Sequence, residues 1–171
     1  REAQIEMAEA VQHAIEEHET VIIEAGTGTG KTFAYLIPAL LSGKKVIVST
    51  GTKHLQDQLY DKDLPLLKKI FKYKPVSTAL LKGRSNYLCL YRIKTLRQRG
   101  RFENKKQVDD FYRIERYAQQ DPIGDITKIE NFQDSTLFSN VTSTTENCLH
   151  TECPDYEDCF IFKERKKAME S

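Results

Sequence analysis

The chain has 171 residues, 26 of them Lys or Arg and 25 Asp or Glu, for a formal net charge of +1. One domain or two small ones fit this length, and the near-neutral balance gives no overall pull toward a polyanionic or polycationic partner. Hydrophobic residues at 39% and charged residues at 30% exclude a mostly disordered chain, and the longest apolar runs, such as Val46–Val48, fall far short of the roughly 20 residues a membrane span needs. No membrane partner is expected. Nothing after Arg1 has the pattern of a secretory leader. Arg1 and Ser171, which follows the helical stretch Lys163–Glu170, are both read as cut ends of a longer protein.

Ile5, Ala8, Val11, Gln12 and Ile15 recur at helical spacing within Glu2–Glu17, which predicts an amphipathic helix. The β-branched run Val21–Glu24 reads as a buried strand. A Gly/Thr loop, Ala25–Gly30, leads into a second helical stripe of Phe33, Leu36, Ile37, Leu40 and Leu41, with Pro38 expected to kink it and Gly43 to stop it. Val46–Ser49 is a second strand, His54–Tyr60 a helix, and Ser77–Leu81 a third strand. The alternation predicts an α/β fold with a parallel sheet and right-handed crossovers. After Gly83 the character changes. Seven basic residues and no acidic one lie between Lys82 and Arg101, while nine acidic residues and only Lys128 lie between Asp121 and Phe160. Val108, Phe111, Tyr112, Ile114 and Ala118 mark a helix between these blocks. The second half therefore reads as a helical, loop-rich insertion beginning near Asn86.

Ala25-Gly26-Thr27-Gly28-Thr29-Gly30-Lys31-Thr32 fits the phosphate-loop pattern except that Ala25 replaces the usual first Gly. Glycines let several backbone N–H groups turn inward around phosphate oxygens, and the following helix presents its positive end to them. Lys31 would reach the β and γ phosphates and Thr32 would ligate Mg²⁺. Residues Ala25 to Thr32 are thus the candidate nucleotide site, with Lys31 and Thr32 carrying the chemistry. The loop itself does not separate ATP from GTP.

Cys148, Cys153 and Cys159 are spaced C-x4-C-x5-C, and Cys89 stands alone upstream. Disulfides suit secreted proteins, structural zinc favours two close pairs, and a cubane iron–sulfur cluster takes one Cys per iron at variable spacing. Spacing favours the cluster and leaves zinc and free core cysteines open. His150 could replace one Cys as a ligand or be a solvated loop residue. Tyr87 and Tyr91 sit in the basic stretch with Arg84, Arg92 and Arg97, a composition suited to tracking a single strand by phosphate contact and stacking. The same residues could equally form a solvated basic face over core tyrosines.

The phosphate loop, Ser49-Thr50-Gly51 through Leu55-Gln56-Asp57-Gln58-Leu59, Leu80-Leu81-Lys82-Gly83-Arg84-Ser85-Asn86-Tyr87-Leu88-Cys89 and the late cysteines occur in an order that resembles bacterial iron–sulfur DNA helicases of the DinG and YoaA type, relatives of the XPD helicase, and is most similar to the YoaA branch. The resemblance implies a RecA-like parallel sheet, here part of the first motor domain, with an inserted, mainly helical iron–sulfur domain. It divides the chain into 1–85, 86–162 and a return into the motor domain over 163–171. It implies a [4Fe–4S] cluster on Cys89, Cys148, Cys153 and Cys159. It also implies an adenine-reading motif at Arg1, Gln4 and Met7, which favours ATP, and backbone contacts to DNA from Thr50, Thr52 and Lys53.

The activity implied is ATP-driven 5′ to 3′ movement on single-stranded DNA with unwinding of forked duplex, in repair or replication, in the bacterial cytoplasm at the nucleoid. The Asp-Glu-Ala-His motif and the second motor domain are absent from these 171 residues, so the chain alone is not expected to turn over ATP. Two other functions compete: a single-stranded nucleic-acid-binding or redox-sensing module, and a zinc-stapled P-loop ATPase.

Overall fold

The computed structural model describes residues 2–26, 28–71, 76–130 and 134–171. The chain divides into two compact units, Arg1–Ser77 and Thr78–Ser171.

In the first unit, α1 (Glu2–Glu17) packs against α2 (Lys31–Leu41). Lys44 Nζ closes the end of α1 by donating to the Ile15 carbonyl at 2.7 Å. The helix α2 runs through Pro38, which is buried with Ala34, Leu36 and Ala39. α3 (Lys53–Gln58) is capped by Thr52, whose hydroxyl accepts from Leu55 N–H at 3.3 Å. It continues through a π-helical turn, Leu59–Asp63, into α4 (Leu64–Ile70). The widened turn comes just before Pro65, which has no N–H to offer the Asp61 carbonyl. Leu36, Leu59 and Leu67 form the core here, with Phe33, Tyr35 and Leu64 against it.

Among the described residues the expected strands are not formed. Val21–Glu24, Val46–Ser49 and Ser77–Leu81 form no strand, and Ile22 and Ile47 are 94% and 91% exposed. Among the described residues there are only two isolated antiparallel bridges, Tyr87 with Asp125 and Leu88 with Thr142. β-Branched runs favour an extended conformation, but a strand exists only when a neighbour takes up its N–H and C=O groups.

The second unit is built around α5 (Leu90–Arg99), α6 (Lys105–Gln120), α7 (Ser135–Val141) and α8 (Phe160–Glu170). Phe111, Ile114 and Ala118 of α6 are buried as their spacing predicts, whereas Tyr112 points outward. They pack with Tyr87, Leu88, Ile93, Leu137, Val141, Phe160 and Ile161. Asn104 caps α6 and Asp134 caps α7, each accepting from a backbone N–H at 2.9 Å. Gly124 is tied in on both sides. Its carbonyl accepts from Leu88 N–H at 2.8 Å, its φ is +69°, and a Cβ there would lie 2.5 Å from the Phe160 ring. Gly124→Ala is therefore expected to destabilise the second unit by about 2–4 kcal/mol, combining left-handed strain with overpacking. The midpoint of denaturant unfolding measures this.

Candidate nucleotide and cysteine sites

The phosphate loop ends at the start of α2, and two of its glycines, Gly28 and Gly30, have φ of +76° and +77°. These left-handed positions turn the loop so that α2 begins with its free N–H groups facing it. Lys31 Nζ donates to the carbonyls of Ala25 and Gly26 at 2.5 and 2.7 Å, placing its charge over the loop. Thr29 Oγ1 donates to Gly26 O at 2.9 Å, and Gln4 Nε2 donates to Gly30 O at 3.2 Å. Gln4, from α1, thus touches the loop directly. Arg1 and Thr27, also expected at this site, lie outside the described residues. Thr32 stands in the first turn of α2, half-buried.

In the second unit the four cysteines share one cavity. Cys89, Cys148, Cys153 and Cys159 all line one cavity of about 490 Å³, together with Tyr91 and Tyr156 and without any Asp or Glu. Cys89 precedes α5 and Cys159 precedes α8, so two of the thiols sit at the positive ends of helices. Cys89 is fixed by its N–H donating to Val141 O at 2.8 Å. Burial pushes its thiol up; the Arg92 N–H opposes this and the other three cysteines add to it. Arg84 Nη1 donates to Cys148 Sγ at 3.0 Å, and Arg84 Nε is buried without a hydrogen-bond partner.

These features fit an anionic, sulfur-ligated group. A chelated zinc would need its sulfurs about 3.8 Å apart around one point. Among the described residues no group of three or more His, Cys, Asp or Glu side chains is gathered closely enough to hold a single metal ion of any kind. A cubane spreads its four ligands over four irons. His150 is exposed at the cavity wall with φ +50°.

The expected DNA residues have varied surroundings. Tyr87 is only 3% exposed, and its hydroxyl accepts from Lys82 N–H at 3.0 Å. Its ring is a core element, so the expected stacking role is withdrawn. Tyr91 lies at the cavity wall. Arg92 reaches the carbonyls of Ser139 and Asn140 at 3.1 and 3.3 Å, closing the C-terminal end of α7. Arg97 pairs with Glu115 at 3.0 Å but remains largely exposed. Lys53 is exposed, and Thr50 Oγ1 donates to the Thr52 carbonyl at 3.3 Å.

Lys82, the first residue of the basic stretch, is not a surface charge at all. Its ammonium meets Asp125 at 2.9 Å with both side chains about 5% exposed or less. Lys94 pairs with Asp155. The basic and acidic blocks that cancel in the composition therefore also pair in space at Lys82–Asp125 and Lys94–Asp155. The residue that sequence reasoning missed is Asp125, the buried partner of Lys82, which no local spacing marks.

The sequence pattern of the DEAD/DEAH box helicases matches residues 3–108. The ATP-dependent DNA helicase YoaA of Haemophilus influenzae is 47% identical over 99% of this chain and 26% of its own length. The Escherichia coli protein of the same name is 50% identical over 100% of the chain and 27% of its own length. The ATP-dependent helicase DinG of Mycobacterium tuberculosis is 34% identical over 98% and 28%. The chain spans about a quarter of the length of these relatives. Among the described residues, no helix is long and apolar enough to cross a membrane.

Proposed function

Because the chain belongs to the DEAD/DEAH box helicases, of the YoaA and DinG type, we propose that it forms the ATP-binding and [4Fe–4S] portion of a 5′ to 3′ DNA helicase. This helicase acts on single-stranded and forked DNA in repair or replication, at the nucleoid. The family implies a RecA-like fold, with use of ATP and Mg²⁺. In this reading residues 1–85 belong to the first motor domain, 86–162 to the iron–sulfur domain and 163–171 to the return. Ile22 and Ile47 then sit on segments that find their ladder partners in other strands of the motor domain, which would explain their exposure.

The observation that carries the proposal is the meeting of Cys89, Cys148, Cys153 and Cys159 on one carboxylate-free cavity, in a chain that also holds a phosphate loop. Lys31 leaves the Ala25 and Gly26 carbonyls for the β and γ phosphates, and the N–H groups at the start of α2 hold phosphate oxygens. Mg²⁺, when bound, neutralises charge developing on the phosphates. Thr32 offers it a hydroxyl oxygen, and Gln4 links the base-reading end of the site to Gly30. In the second unit Cys89, Cys148, Cys153 and Cys159 would hold the cluster, which would then staple Cys89 and its flanking arginines to the late-cysteine loop. Arg84 serves it as a hydrogen-bond donor to Cys148. Thr50, Thr52, Lys53, Tyr91, Arg92 and Arg97 remain the proposed DNA contacts.

Anaerobically purified protein is expected to contain about four irons and four sulfides per chain and to lose most of both in Cys153→Ser. Stoichiometric zinc in a colourless preparation would overturn the cluster and favour the zinc-stapled ATPase. ATP-dependent strand separation from a 5′-tailed duplex by the longer protein that carries this chain tests the motor. Preference for a 3′ tail would reverse the direction, and ATP-independent binding alone would favour the nucleic-acid-binding or redox-sensing module.

A further inference from the structure

We propose that the side of α8 lining the cysteine cavity is a single-strand DNA contact, with an unstacked base on the Tyr156–Phe162 ring pair and neighbouring phosphates on Arg165 and Lys166. The inference rests on the reading of this unit as part of a DNA helicase, and it extends the strand's path beyond the basic arm. Phe162, Arg165, Lys166 and Met169 all line the cavity, and their spacing puts them on one stripe of α8. The Phe162 ring is half-buried against Tyr156, with centroids 4.3 Å apart and planes inclined by 36°. Neither ring belongs to the hydrophobic core, which the same helix enters through Phe160 and Ile161. That separates the pair from Tyr87, a core ring. Tyr156 is set in place by the cysteine loop: its N–H donates to the Cys153 carbonyl at 3.0 Å, and its own carbonyl accepts from Cys159 N–H at 3.1 Å. The ring pair is therefore anchored between two of the cysteines.

Charge selects the occupant. Four cations line the cavity, Arg84, Arg92, Arg165 and Lys166, and no carboxylate does. Arg84 is engaged with Cys148, and Arg92 with the carbonyls of Ser139 and Asn140. Among the described residues, Arg165 and Lys166 have no hydrogen-bond or ion-pair partner for their side chains, and both are exposed. Lys163, off the stripe, is by contrast held by Asp158 at 2.9 Å. A cubane on four thiolates carries about two negative charges, fewer than the four cations around it, so positive charge is left over on the α8 side. Exposed cations beside aromatic faces hold a single strand without regard to sequence, because phosphates meet the cations and every base has a π-face to lay on a ring. The phosphates of a strand balance the surplus charge, and an unstacked base covers rings that the core does not.

The test uses the longer protein that carries this chain, prepared anaerobically, with iron and sulfide counted in wild type, Phe162→Leu, Arg165→Ala and Lys166→Ala. Fluorescence anisotropy follows binding of a labelled oligothymidine and of an abasic strand of the same length across a salt series. Phe162→Leu is expected to weaken oligothymidine binding about 5-fold or more, the worth of one base–aromatic stack, and to leave both the abasic strand's affinity and the iron content unchanged. Arg165→Ala and Lys166→Ala should weaken both strands alike and lower the salt slope by about 0.7 each. An equal loss on both strands in Phe162→Leu, or a loss of iron, would show the ring to be a packing residue and overturn its stacking role. Unchanged affinity and salt slope in the two cation variants, which replace exposed side chains, would overturn the phosphate contacts. Failure of the helicase reading looks different: wild type would hold no cluster or would bind neither strand.

Discussion

Lys82→Met is expected to destabilise the second unit by about 3–5 kcal/mol, because it strands the Asp125 carboxylate in a site from which water is excluded. Asp125 is held by Lys82 Nζ at 2.9 Å and by the N–H and Oγ1 of Thr127 at 2.9 and 2.7 Å. Burial pushes this carboxyl up, but the Lys82 and Thr127 hydrogen bonds together outweigh it and hold the group below the usual carboxylate range. The pH dependence follows from that sign. A depressed folded pKa gives stability that is complete above the unfolded value, about 3.9, and is lost as pH falls through the folded one. Wild type and Lys82→Met should therefore differ fully at neutral pH and converge in acid below about pH 4.

Replacing both partners with apolar residues, Lys82→Met with Asp125→Leu, should recover most of the loss, since no uncompensated charge is then buried. Urea unfolding across the pH range measures all three variants. A loss below about 1 kcal/mol for Lys82→Met would show that the pair is wetter than its burial indicates. Because Tyr87 is bridged to Asp125 and hydrogen-bonded to the Lys82 N–H, the same substitution should loosen the segment leading to Cys89.

The helices and loops that depend on neighbours in sequence were legible in advance. The stripe of Phe111, Ile114 and Ala118 fixes the buried face of α6, and the Gly/Thr/Lys spacing marks the phosphate loop because its backbone needs are local. Pairings between distant residues were not. Arg84 and Cys148 lie 64 positions apart and Lys82 and Asp125 lie 43 apart, so a count of basic residues along the arm does not reveal that these two are engaged in internal contacts. Tyr87 was misread for a related reason: an aromatic between basic residues suits both a stacking surface and a core, and only its neighbours decide. The strands are the opposite case. Val21–Glu24 and Val46–Ser49 have strand composition, but pairing is a property of at least two segments, and local composition describes one.

Lys31→Ala is expected to weaken Mg²⁺–ATP binding by about 10- to 100-fold, the range for losing charge-assisted hydrogen bonds to phosphate. The size of the effect depends on what Lys31 does without nucleotide. Its ammonium lies on the Ala25 and Gly26 carbonyls, so binding exchanges two neutral acceptors for anionic phosphate oxygens, and the net gain is the difference between them. The same contacts brace the loop. Alanine therefore removes both the phosphate donor and the brace that holds Ala25 and Gly26 in place, whereas Lys31→Arg keeps the charge but carries a planar fork that a small loop does not accommodate. Arginine is accordingly expected to rescue only part of the loss. Isothermal titration with ATP and Mg²⁺ separates the cases: full rescue by arginine would mean that charge alone acts at this position. Equal binding by all three proteins would mean that the backbone N–H groups of the loop hold the phosphates without Lys31.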